Sequence, residues 1–244
     1  MRFVLSTRWL ILCLAAAVFC PACKKSSNGT TDVLVSNATI TTGALSVAWS
    51  GVSLTPTALA QGGTSGTTAA PYQVLPAGTN NLILKSGGNV LLDKNIYGGP
   101  AAHYSMLVYD SNQTSTTPNV LLLTDDLSAV DSVNHAKCRF IDCSPDTLLD
   151  VVFVNSTDTI GFGAQRFIGP TPDPSSYQVF GTVRLGKYKP YVFITGTAFN
   201  SAPLLSADSV VLASKGIYTF IYSGLRGATG ANALKLVTIQ HPSN

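Results

Sequence analysis

One ordered set of apolar segments occurs twice in this chain, and that repeat limits the folds open to it. Tyr-Gln-Val at Tyr72–Val74 recurs at Tyr177–Val179, 105 residues on. NVLLDKNI (Asn89–Ile96) matches APLLSADSVV (Ala202–Val211). HYSMLVYDS (His103–Ser111) matches IYTFIYSG (Ile217–Gly224), with Tyr104 and Tyr218 114 apart. NVLLLTDD (Asn119–Asp126) matches ALKLVTIQ (Ala233–Gln240), with Thr124 and Thr238 again 114 apart. Matches that keep their order imply a tandem duplication, so the fold is to be sought once and then doubled.

The repeated unit reads as short strands. All 12 acidic residues are Asp, and Asp favours turns and caps where Glu would favour helix. With 21 Gly and 13 Pro, the chain has many turn formers between its runs of Val, Ile, Thr and Tyr. In Ile217–Tyr222 the aromatics fall on one face of a strand and Ile217, Thr219 and Ile221 on the other. LLDVVFVN (Leu148–Asn155) and VLLLT (Val120–Thr124) are more continuously apolar, as central strands covered on both faces would be. About seven such segments in about 100 residues predict an all-β protein of two tandem immunoglobulin-like β-sandwich domains. Domain 1 is expected at residues 32–126, a connection at 127–136 and domain 2 at 137–244.

The first 22 residues differ from the rest. Arg2 and Arg8 precede an unbroken apolar run, Trp9–Phe19, too short for the ~20 residues that cross a bilayer. This is a signal-peptide pattern, expected over residues 1–22. Its end, Cys20-Pro21-Ala22-Cys23, resembles a bacterial lipobox, with a small residue before the cysteine that becomes lipidated; Cys20 stands where Leu is usual. Lys24-Lys25 and Ser26–Gly29 resemble the hydrophilic tether of lipoproteins from the Bacteroidota, expected here over residues 23–31. The resemblance implies lipidation at Cys23 and a protein held on the bacterial cell envelope, at the outer membrane, without spanning it.

A second resemblance covers nearly all of residues 32–240. RFIDCSPDTLLDVVFVN (Arg139–Asn155) resembles the opening of the domain-of-unknown-function 4397 family: a strand, Ser-Pro-Asp, then an Asp-Val-aromatic-Val strand. Ser144, Pro145, Asp146, Asp150, Val151 and Val154 fit it, and Val152 stands where Tyr is common. YQVLPAGTNNLIL (Tyr72–Leu84) resembles the family's later Leu-Pro-Ala-Gly-Thr strand entry. Each copy carries a different half of the pattern. The resemblance implies a secreted β-sandwich, often in tandem, and no particular activity.

The residues that could carry chemistry are few. His103, His135 and His241 have no metal-ligand spacing with Cys, Asp or one another, and are expected at the surface or a strand edge. There is no Gly-x-Ser-x-Gly elbow and no phosphate-binding or dinucleotide motif. Asp125 and Asp126 are adjacent and point apart, and Asp146 and Asp150 sit where Asp caps a turn. Cys138 and Cys143 lie five apart on one expected strand, roughly 16 Å along it and on opposite faces. They cannot pair and read as buried apolar residues. Trp49, the only tryptophan beyond the signal segment, is a core residue or a ligand-stacking platform.

The remaining signals concern charge and modification. Beyond residue 22 there are 13 basic and 12 acidic residues with no basic stripe, which argues against nucleic-acid binding. Residues 32–131 hold two Lys and six Asp, whereas residues 137–244 hold nine basic residues and six Asp; no docking role is expected of this asymmetry. Asp followed by Ser or Thr and an apolar residue recurs at Ser132, Thr147, Thr159 and Ser209, and resembles the O-glycosylation motif of exported Bacteroidota proteins. Together these features predict a lipid-anchored, non-enzymatic binding or scaffolding module, with no cofactor or metal and an envelope protein or glycan as partner. The alternatives are a glycan-binding surface lipoprotein, with Trp49 as candidate platform, and a hydrolase of envelope or extracellular polymers.

Overall fold

The computed structural model describes residues 29–145 and 148–243; the expected signal peptide, Cys23 and Thr147 lie outside them. The regular structure of the described residues is strand, apart from two short 3-10 turns at Pro174–Ser176 and Gly230–Asn232. The first half contains β1 (Thr30–Asn37), β2 (Ser46–Trp49), β3 (Val52–Ser53), β4 (Gln73–Pro76), β5 (Gly78–Ser86), β6 (Asn89–Gly98), β7 (His103–Asp110) and β8 (Pro118–Thr124). They form two four-stranded sheets, ordered β4-β1-β7-β8 and β3-β2-β5-β6.

The second half repeats this plan. Its strands are β9 (His135–Asp142), β10 (Leu149–Val154), β11 (Thr159–Gln165), β12 (Gly181–Arg184), β13 (Gly186–Ile194), β14 (Leu205–Ser206), β15 (Val210–Leu212), β16 (Ile217–Ser223) and β17 (Lys235–His241). The sheets are ordered β12-β9-β16-β17 and β11-β10-β13-β14, with β15 also paired to β13. Strand β6 of the first half thus corresponds to β14 and β15 together, interrupted at Ala207–Ser209. In both halves the first strand runs parallel to the seventh (β1 with β7, β9 with β16), the other pairings being antiparallel. The β-sandwich is as expected from the sequence. Its strand order differs from the immunoglobulin plan, in which the first, second, fourth and fifth strands share a sheet.

Register refines the repeat. Val33 lies opposite Tyr104, and Cys138 opposite Tyr218, so the two tyrosines correspond as the sequence suggested. Their hydroxyls do the same work: Tyr104 accepts from Gly99 N and Tyr218 from Ala213 N, each at 3.0 Å. Two other matches shift. Tyr104 faces Thr124 but Tyr218 faces Gln240, so Thr124 corresponds to Gln240 rather than Thr238. Val33 faces Gln73 and Cys138 faces Gly181, so Tyr72 corresponds to Phe180 rather than Tyr177.

Each half has its own core between its sheets. The first is built on Val33, Val35, Val47, Trp49, Leu82, Leu84, Met106 and Val108. Trp49 is fully buried there, its indole N–H donating to Pro76 O at 3.2 Å. Gly98 makes room for it, since a Cβ at that position would stand 3.0 Å from the indole ring. The second core gathers Leu149, Val151, Phe153, Tyr188, Val192, Tyr218, Phe220 and Tyr222. The aromatics of β16 share its inner face, as the alternation predicted.

A third cluster joins the halves. Leu34, Leu107, Tyr109, Leu121 and Leu123 from the first half pack against Ile141, Cys143, Ile168, Ile221 and Ile239 from the second. The sheets β4-β1-β7-β8 and β12-β9-β16-β17 therefore meet face to face. This explains VLLLT in β8: it is an edge strand, not the central one expected, and it is apolar on both faces because the other half covers its outer side. The boundaries also move. Thr30 and Thr31, expected in the tether, pair with Pro76 and Leu75, and His135 and Ala136, expected in the connection, already belong to β9. Leu127 and Val130 of the connection are buried.

Candidate functional site

The densest set of functional groups lies between the halves. Asp125 follows β8, and its backbone N–H continues the ladder by donating to His103 O at 2.8 Å. From the second half, Arg139 comes from β9, Thr219 from β16 and His241 from the end of β17. Strand register makes Ser105 and Thr219 corresponding positions, and likewise Asp125 and His241. Residues from the same place in the two copies therefore meet, as in an isologous contact.

The hydrogen bonds close into a ring whose directions follow from the donors. Arg139 can only donate and the Asp125 carboxylate can only accept. Arg139 Nε donates to Thr219 Oγ1 at 2.8 Å, so the Thr219 hydroxyl hydrogen goes to His241 Nε2 at 2.7 Å. This leaves the His241 Nδ1–H to meet the Tyr72 hydroxyl oxygen at 2.7 Å. Tyr72 then donates to Asp125 Oδ2 at 2.7 Å, and the Arg139 to Asp125 ion pair completes the circuit. Ser105 donates to Asp125 Oδ2 at 2.8 Å, and Phe180 lies under the guanidinium at 4.4 Å.

The ring works with a neutral imidazole. A second proton on His241 would occupy the nitrogen that accepts from Thr219. Burial, opposed in part by Asp125, lowers the His241 pKa to about 4. Burial and Asp125 together raise the Tyr72 phenol far above its ordinary value. Thr219, His241 and Asp125 superficially resemble a nucleophile triad. All three are buried, however, and Tyr72 stands between His241 and Asp125, whose nearest atoms are 4.0 Å apart. The arrangement holds the halves together and offers no exposed nucleophile. It also corrects two expectations: His241 is an edge-strand residue but buried, and charge from both halves does enter the docking. Lys137 adds a second link, meeting Asp126 at 2.9 Å. His103 and His135 are half-buried.

An open cleft lies elsewhere, on the outer face of the second half's other sheet. Strand alternation sends Leu149, Val151 and Phe153 of β10 inward and Val152 and Val154 outward. On β13 it sends Tyr188 and Val192 inward and Tyr191 and Phe193 outward. With Thr159 and the loop residues Phe199, Ser201 and Pro203, the outward side chains line a cleft of about 390 Å³. The Tyr191 and Phe193 rings are 6.4 Å apart and tilted by 30°. Phe199 packs edge-on against Phe193 at 5.4 Å yet remains 64 % exposed. Asp150 anchors the loop, accepting from Thr195 Oγ1 and Gly196 N, each at 3.2 Å. The corresponding face of the first half is mostly polar: Ser46, Ala48, Asn81, Ile83 and Lys85 lie there, and Asn81 donates to Asp93 at 2.6 Å.

The other sequence candidates fall as follows. Trp49 is no platform, because it lies in the first core. Thr159 and Ser209 are exposed, Ser209 at the interruption between β14 and β15, and Ser132 is half-buried. Cys138 and Cys143 are free, buried and on opposite faces of their sheet, one in the second core and one between the halves. Burial raises the Cys138 thiol to about 12 and Cys143 well above its usual value. The cleft was missed because a Phe in the loop TGTAFNSAP (Thr195–Pro203) carries no signal of which strand it will cover. The outward Tyr191 and Phe193 on β13 were the available clue. No family model matches the chain, and neither does any curated protein.

Proposed function

We propose that this chain is a lipid-anchored cell-envelope protein, tethered at Cys23, that acts as a non-enzymatic binding module through the outer cleft of its second half. The anchor rests on the sequence: the short apolar run and Ala22-Cys23-Lys24-Lys25. The binding role rests on one observation. Two duplicated sheets have the same strand plan, yet among the described residues the outer face of the second carries an aromatic, loop-walled cleft where the matching face of the first is mostly polar, and burial of apolar side chains in a core gives no reason for that cleft. A non-enzymatic role agrees with the burial of the Thr219, His241 and Asp125 cluster.

Two measurements on intact cells test the proposal. Mass spectrometry of the mature N-terminus is expected to find an acylated Cys23, and a free amino terminus at another residue contradicts the anchor. Crosslinking followed by identification of what is bound is expected to place the contact on the β10–β13 face. Hydrolysis of a polymer by the purified protein, lost on changing one Asp, contradicts the non-enzymatic reading.

A further inference from the structure

The outward face of β13 is graded in chemistry. Lys187, Lys189, Tyr191 and Phe193 alternate onto it, so two cations are followed by two aromatic rings along one strand. Both lysines are exposed, and among the described residues neither has a carboxylate within 4 Å. Lys189 Nζ stands 5.7 Å from the centre of the Tyr191 ring, which is itself a wall of the cleft. An uncompensated ammonium at the mouth of an apolar cleft favours a ligand that brings an anion to the mouth and an apolar group to the floor. The remaining polar lining is sparse, the Thr159 and Ser201 hydroxyls and the Tyr191 phenol, too few to satisfy a ligand with a polar group on every carbon.

We infer that the cleft binds a small amphipathic anion, an apolar ring or short acyl chain inserted beside Phe193 and Phe199 with its acidic group at Lys189. The inference rests on the binding role proposed above and specifies its chemistry. The Asp150-anchored loop supplies one wall and the rigid pair β10 and β13 supplies the floor, so the site is formed before the ligand arrives.

Two fluorescent probes with the same ring system test it on the purified chain: anilinonaphthalene sulfonate, which carries the anion, and neutral phenylnaphthylamine, which does not. The sulfonate is expected to bind with one saturable equivalent and more tightly than the neutral probe. Lys189→Gln is expected to weaken the sulfonate about fivefold and leave the neutral probe unchanged. Phe199→Ser is expected to weaken both about tenfold. Both side chains are exposed, and unchanged melting of the variants verifies that they fold. Equal binding of the two probes, with no effect of Lys189→Gln, overturns the anion inference while leaving the cleft as a binding site. No effect of Phe199→Ser on either probe overturns both. Displacement of the sulfonate by a neutral oligosaccharide reassigns the cleft to glycans and overturns the inference.

Discussion

Asp125 of the first half and Arg139 of the second form an ion pair across the interface, with side chains 0 % and 2 % exposed. A buried pair adds little net stability over an apolar replacement, but removing one partner strands the other charge. Asp125→Ala is therefore expected to destabilise the protein by about 3–5 kcal/mol in urea unfolding. Asp126→Ala, at the exposed pair with Lys137, is expected to cost under about 1 kcal/mol. The double variant Asp125→Ala with Arg139→Met is expected to recover part of the loss. Equal effects of the two Asp variants contradict the assignment.

His241 makes the interface sensitive to acid. Its folded pKa, about 4, lies below the ordinary 6.5. Between these values the unfolded chain binds the proton and the folded chain does not, so stability falls as pH drops through that window. The loss attributable to His241 is about 3 kcal/mol by pH 4 and levels off below it. His241→Gln is expected to be less stable at pH 7.5 and to lose about that much less on acidification. Parallel pH profiles for the two proteins contradict the neutral ring.

In a purified chain that starts at residue 23, Trp49 is the one tryptophan and reports on the first core alone. Because it is wholly buried, its emission is expected to be blue-shifted and insensitive to iodide until the first half unfolds. A red-shifted, quenchable emission places it at the surface and restores the platform reading.

Asp150 links the strand to the loop that bears Phe199. Asp150→Ala removes two hydrogen bonds and is expected to cost about 1–2 kcal/mol while increasing hydrogen exchange at Gly196. Unchanged exchange at Gly196 contradicts this anchoring.

The repeat, the strand class and the facing of β16 were legible in the sequence, because each depends on local alternation. The cores were legible for the same reason. Register was legible only in part: Tyr-Gln-Val recurs by coincidence, three residues out of phase, since short matches do not fix which residues pair. The interface was hidden in plain pattern. Leu121 and Leu123 look like residues of a central strand, and only the sheet order shows that another half covers them. Asp125, Arg139 and His241 looked like ordinary polar residues because their partners come from 14 to 169 positions away. The cleft depends on a loop folding back over a strand, which periodicity does not encode.

Site-specific photocrosslinking in intact cells tests the binding account most directly. A photoreactive residue at position 199, on the cleft wall, is compared with one at position 48, on the matching face of the first half. The account predicts a defined adduct from position 199, in the membrane fraction, and none from position 48. No adduct at position 199, or the same adduct at both positions, contradicts it.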